Sequence, residues 1–183
     1  MGATISKNLV CDSLKENKID FRKYEGINVS NFWKARQEML NQTETDWFIV
    51  IDGDEVWWQD SIRHLVSEIQ RNGKSYESII VPTYNLVGDI FHYQETQAGK
   101  YKFGKLRGHY NLRGVSKNIP GLHSFGEHGM WGWVDSENKM IQDRGEEKLL
   151  FVNAPYLHAT FLARASEKSK EFAVVKRAKK LKY

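Results

Sequence analysis

Between 28 and 42 the chain places Val29, Phe32, Trp33, Met39 and Leu40 on one helical face, with Asn28 or Ser30 set to cap the start. The run WFIVID at 47–52 is continuously apolar until its last residue, which predicts a strand buried on both faces. Residues 60–73 predict a second helix. There Ile62, Leu65, Val66 and Ile69 recur at i, i+3, i+4 and i+7, Asp60 or Ser61 caps the start, and Gly73 ends it. YESIIVPTYN at 76–85 predicts another strand, and the alternating KIDFRKYEG at 18–26 a short one upstream. Residues 18–85 thus read strand, helix, strand, helix, strand, the pattern of an α/β fold with a largely parallel sheet. In such sheets ligands bind beyond the carboxyl ends of the strands.

From 86 to 145 the texture changes to Gly, Tyr, His and Trp with short strand-like pieces, as in an irregular region that builds a binding face. KLLFVNAPYLHATFL at 148–162 predicts one or two further strands. Residues 163–183 predict a basic amphipathic helix with Phe172, Val175, Ala178 and Leu181 on its apolar stripe. No internal repeat or low-complexity tract interrupts the chain.

Composition narrows the classes. The 183 residues suffice for one domain with a substantial core. The net charge of +4 is unevenly placed: the stretch from Arg164 onward holds eight Lys/Arg against two Glu, so the body is slightly acidic. A uniform nucleic-acid-binding surface is therefore not expected. The single cysteine, Cys11, excludes an intrachain disulfide and a cysteine metal cluster. No apolar run approaches a membrane span, and MGATISKNLV lacks the features of a signal peptide, although MGATIS matches the myristoylation pattern. The expected location is the cytoplasm, with the basic tail offering peripheral contact to the inner face of a membrane.

The candidate chemistry lies in DGDE, residues 52–55, at the exit of the apolar strand. Asp52 and Asp54 sit at i and i+2, so in near-extended backbone they point to one side, while Gly53 permits a sharp turn. Two converging carboxylates suit a hard divalent cation such as Mn²⁺ or Mg²⁺, which would neutralise a diphosphate leaving group. The bland alternative is a solvated acidic turn. An EF-hand is excluded, because Val56 stands where the third ligand belongs.

TDWFIVIDGDEVWWQDSIRHLVSEI resembles the central segment of family 2 glycosyltransferases of the GT-A fold, with their aspartate-any-aspartate motif. NVSNFWKARQEML, with Ala35 and Arg36, resembles the helix before that strand. GATISKN resembles the family's Gly-Ser-Thr-Asp turn, and APYLHATFLARAS with KRAKKLKY its closing strand, histidine and basic helix. The resemblance implies a GT-A-like, Rossmann-like mixed but mostly parallel sheet flanked by helices. It also implies an N-terminal truncation, since the chain starts near the turn that follows the family's first nucleotide-binding strand. The single domain would divide into a nucleotide- and metal-binding part (1–85), an acceptor-side part (86–162) and the basic helix (163–183).

The implied roles follow. Asp54 would ligate the metal directly, Asp52 would contact the ribose or the metal through water, and His158 would be a third ligand. Glu55 would orient the loop. Read from the residues themselves, Arg107, His109 and Arg113 either contact the diphosphate, where guanidinium forks match phosphate oxygens, or are solvated surface charge. The base that deprotonates the acceptor is sought in GLHSFGEHGMWGWVDSE. The candidates are Glu127, Asp135 and Glu137; Glu127 is favoured, because glycines flank it and His128 adjoins it, and Asp135 is the second choice. Trp131 and Trp133 either stack on an acceptor sugar or belong to the core. The implied function is metal-dependent, inverting transfer of a sugar from a nucleotide-diphosphate sugar to a glycan, lipid or protein acceptor, with no nucleic acid as partner. The alternative is a non-catalytic nucleotide- or sugar-binding remnant of the same fold.

Overall fold

The computed structural model describes residues 24–162 apart from Val29 and His128. Cys11, the GATISKN turn, most of the strand expected over 18–26 and the basic helix lie outside the described residues. Within 24–26, Glu25 and Gly26 form a turn rather than a strand end.

Helix α1 spans Phe32–Gln42. Asn28 prepares its start, not by capping it but by forming a turn: its Oδ1 accepts the backbone N–H groups of Ser30 at 2.9 Å and Asn31 at 3.2 Å. Asn31 is the capping residue. The apolar face is narrower than its sequence suggests, for Leu40 is buried while Met39 is 55% exposed. Helix α2 spans Gln59–Asn72 and points Leu65 and Ile69 inward, as its strong periodicity predicts. Gly73 ends it in ordinary right-handed geometry, with φ −58°. Glycine is needed there for space: a Cβ would stand 2.5 Å from the Ile69 carbonyl oxygen and 2.8 Å from the Trp47 indole nitrogen.

The main sheet contains β1 (Trp47–Ile49), β2 (Glu55–Trp57), β3 (Ser78–Val87), β6 (Tyr110–Ser116), β9 (Leu149–Phe151) and β10 (Tyr156–Phe161). Its order is β1-β6-β3-β10-β2, with β9 also on β3. Two hairpins stand apart: β4 (Tyr101–Phe103) with β5 (Leu106–Gly108), and β7 (His123–Phe125) with β8 (Gly132–Val134). The expectation of a mostly parallel, Rossmann-like sheet is corrected here. β6 runs antiparallel to both β1 and β3, and β2 antiparallel to β10; only the pairings of β3 with β9 and β10 are parallel. The chain from β1 through α2 to β3 does return in the same direction, but β6 later inserts between the two strands. β1 is also not central: among the described residues it pairs with β6 alone, at the sheet edge.

β3 is the central element, buried along nearly all its length. It changes partners midway, from β9 at 78–80 to β10 from Thr83 onward. Pro82 sits at this step, where a proline without an N–H interrupts no ladder on that side. One face of the sheet carries Ile79, Val81, Tyr156 and Val152 against Leu65 of α2. The other carries Val50 and Val115 against Leu40 of α1, Ile119, Trp133 and Ile141. The acidic turn leaves between these two layers.

Candidate functional site

β1 delivers the chain to Asp52, and the turn closes with the Glu55 N–H donating to the Asp52 carbonyl at 3.1 Å. The chain then enters β2, a strand the sequence pattern does not reveal because only three residues form it. β2 lies antiparallel to β10 with Glu55 opposite His158. That register brings the acidic turn against the histidine on the neighbouring strand.

The four residues of the turn divide into two groups. Asp52 faces arginines. Its Oδ1 accepts from Arg36 of α1 at 2.5 Å, and its Oδ2 lies 3.3 Å from Nη2 of Arg113. Glu55 turns inward, its side chain fully buried, and accepts from the same Arg113 nitrogen and from the Trp57 indole N–H at 3.1 Å. Arg113 reaches both because it is the bulged residue of β6. Ile79 pairs with Gly114 and Ile80 with Leu112, so Arg113 is left between register positions. It is 8% exposed, its Nε donates to the Tyr156 hydroxyl at 3.2 Å, and its guanidinium lies 5.4 Å from the Tyr156 ring centroid. Trp57 stacks on Tyr156 with centroids 4.5 Å apart, and Asn111 donates to the hydroxyl at 2.6 Å.

Burial raises the Glu55 pKa, with Arg113 and the Trp57 N–H opposing it. Burial also pushes the Tyr156 phenol up to about 12. For Arg113 burial works against the charge, and the attraction of Tyr156, Glu55 and Asp52 more than offsets it. Arg113 is thus the internal counter-ion of the turn, buried against Asp52 and Glu55.

Asp54 forms the second group with His158. Its Oδ2 stands 3.5 Å from Nε2 of the ring, and its carbonyl accepts the Ala159 N–H at 2.8 Å. The His158 Nδ1 lies 3.1 Å from Asn85 Oδ1, and Asn85 Nδ2 lies 3.0 Å from His109 Nδ1. Two ligands on one small divalent ion, each about 2.1 Å from it, stand roughly 3 Å apart. The Asp54–His158 pair therefore needs to close by only about half an ångström to share an ion. Among the described residues no set of three or more His, Cys, Asp or Glu side chains converges on one point. The expected trio of Asp52, Asp54 and His158 is divided, since Asp52 is turned to Arg36 and Arg113.

The remaining expectations separate clearly. Arg107 is exposed on the β4–β5 hairpin and does not join the Asp52–Arg113 cluster. Glu127 is exposed in the loop between β7 and β8. Gly126 starts that loop at φ +95°, and a Cβ there would stand 2.9 Å from the Met130 carbonyl oxygen. The loop is tied to the acidic turn: Trp131 lies against Arg36, with 4.8 Å from guanidinium to ring centroid, and Arg36 holds Asp52. Trp133 belongs to the core, edge-on to Phe48 at 5.1 Å.

Asp135 corrects its expectation as a base. It is 2% exposed, its Oδ1 accepts the N–H groups of Glu137 and Lys139 at 2.9 and 3.0 Å, and its Oδ2 accepts from Arg144. Both oxygens anchor a turn. Arg36, Asn85 and Tyr156 carry the site but escaped assignment as site residues. The available signals were the Ala35–Arg36 pair on the helix before the acidic turn and the polar Asn85 within an otherwise apolar strand.

These features define an α/β protein whose acidic turn opens beside a histidine at one end of a mixed sheet. The model of glycosyl transferase family 2 matches residues 9–126, more than half of the chain, and the chain belongs to that family. Among the curated proteins, none matches it. Membership supports glycosyltransferase activity and a nucleotide-sugar donor. Asp52, Asp54, Asn85 and Arg113 lie within the matched residues; Glu127, Asp135 and His158 lie beyond them. No helix among the described residues is long and apolar enough to cross a membrane.

Proposed function

We propose that the chain is a GT-A-type, metal-dependent glycosyltransferase that transfers a sugar, with inversion, from a nucleotide-diphosphate sugar to a hydroxyl of a glycan, lipid or protein acceptor. The observation that carries this reading is the approach of Asp54 to His158 across β2 and β10. Asp54 and His158 would hold Mn²⁺ or Mg²⁺, which when bound supplies charge neutralisation for the diphosphate leaving group. Asp52, held by Arg36 and Arg113, would be the residue that contacts the donor's ribose. Glu127 is the proposed base, on a loop positioned through Trp131 and Arg36, and accepts the acceptor hydroxyl proton as the new bond forms. The basic residues of 163–183 would favour an anionic membrane surface on the cytoplasmic side.

A second reading, a nucleotide- or sugar-binding protein without turnover, is favoured by one observation: among the described residues, only two ligand side chains face each other at the acidic turn. Release of nucleoside diphosphate from UDP- and GDP-sugars, assayed with Mn²⁺ and a panel of saccharide and polyprenyl-phosphate acceptors, separates the two. Acceptor-dependent release that is lost in Glu127→Gln, by about 10²–10⁴-fold, supports the transferase. Donor binding with no release across the panel supports the second reading.

A further inference from the structure

We propose that the turn at 88–91, just beyond β3, is a membrane-docking tip that inserts Ile90 and Phe91 into the surface of an anionic lipid bilayer. Phe91 is 80% and Ile90 64% exposed, the first more than any other large apolar side chain among the described residues. The turn presents them on a built frame. Asp89 Oδ1 accepts the N–H groups of Phe91 at 2.8 Å and His92 at 3.0 Å, the Val87 N–H donates to the His92 carbonyl at 2.9 Å, and Gly88 takes φ +77°. Asp89, the acid of the turn, thus directs its charge at backbone N–H groups and at the His92 ring, whose Nδ1 is 2.8 Å away. Side chains fixed in this way lose little further freedom on docking.

The surroundings grade as a bilayer interface does. Behind the tip, Tyr93 bridges to Leu86 with its ring 4.8 Å from Tyr84, and Trp58 meets Tyr84 edge-on at 6.2 Å. Tyr and Trp have an apolar body and a polar end and favour the level of the headgroups, whereas Ile and Phe favour the acyl chains. Val56 and Val87 extend this exposed apolar surface onto β2 and β3. β10 carries Phe161 in register with Val87, so the stretch from Arg164 onward, with eight Lys/Arg against two Glu, follows from the base of the same turn. Apolar insertion and basic attraction together hold a protein at a membrane where either alone is weak. The inference rests on the membrane reading of 163–183 and adds the element that inserts. It also orients the molecule. The Gln94 N–H donates to the Asn85 carbonyl at 2.9 Å and Asn85 stands in register with His158, so a docked tip turns the end of the sheet that carries the Asp54–His158 pair toward the membrane.

Co-sedimentation of the full chain with lipid vesicles tests this, without donor and in EDTA, on phosphatidylcholine alone and on an equimolar mixture with phosphatidylglycerol. The wild type should bind the mixed vesicles at least about tenfold more tightly than phosphatidylcholine. Ile90→Ser combined with Phe91→Ser removes the wedge and should weaken binding to the mixture by about tenfold or more. Met39→Ser, at a 55% exposed position of α1, should leave it unchanged. Phe91→Ser alone should give a smaller loss, and it decides if the double variant fails to fold. A double variant that binds the mixture like the wild type, or an equal loss in Met39→Ser, overturns the tip and leaves the basic segment as the attachment. A wild type that binds neither vesicle overturns both. A dimer in sedimentation velocity that the double variant lacks, with no vesicle binding, assigns the tip to a second copy of the chain and overturns the proposal as well. Asp54→Asn should bind vesicles as the wild type does, so failure of the donor site and failure of the docking tip are read separately.

Discussion

Arg113 explains how a chain tolerates Asp52 and Glu55 in one turn. A buried guanidinium between two carboxylates resolves their repulsion, and Tyr156 and Trp57 complete its surroundings. Removing one partner of such a pair strands the other in the interior. Arg113→Met should therefore destabilise the protein by about 3–5 kcal/mol, read as a lower urea midpoint. Adding Glu55→Leu should recover much of that loss, because the stranded carboxylate is then gone. A double variant no more stable than Arg113→Met would contradict the counter-ion role. The acids of this turn were legible in the sequence, because four residues in a row carry the motif. Their counter-ion was not. Arg113 stands 61 residues beyond Asp52 and 58 beyond Glu55, and only the β6 bulge brings it back.

The elements are joined by a second charged cluster, which ties the start of β3 to the segment between β8 and β9. Arg144 donates to Glu77 at 2.6 Å and also to Asp135, and Lys148 reaches Glu77 at 3.2 Å. The hydrogen bond from Arg144 holds Glu77 below its ordinary value of 4.5, although burial opposes it. A lowered folded pKa contributes stability that is present above 4.5 and is lost as the pH falls through the folded value. The urea midpoint of the wild type should fall from pH 5 toward about pH 3, and Glu77→Gln should start lower at pH 7 and fall less steeply. Equal slopes would remove Glu77 from the acid limb. Element by element, α2 was readable because periodicity and a buried stripe agree. The place of β1 in the sheet was not legible: its apolar run signals two covered faces, as core packing on both sides bears out, but not that among the described residues it pairs with β6 alone. β2, three residues long, leaves no periodic trace.

At the scale of the whole molecule, the sheet is mixed because β6 returns antiparallel between β1 and β3. The βαβ pattern was legible, since β1, α2 and β3 do form such a unit. The insertion of a later strand into it is a long-range choice that local patterning does not encode. The same arrangement places the acidic turn, β10 and the end of β3 together, so that residues from 52 to 158 meet at one site. Family membership supports glycosyl transfer as the class of chemistry; the proposed place for the metal and the diphosphate is the pairing of Asp54 with His158. Calorimetric titration of UDP and GDP tests that claim most directly, run with Mn²⁺, with EDTA, and with Asp54→Asn and His158→Gln. The account predicts binding with Mn²⁺ that EDTA abolishes and that either substitution weakens by at least about tenfold. Nucleotide binding that is unchanged by EDTA and by Asp54→Asn would contradict it.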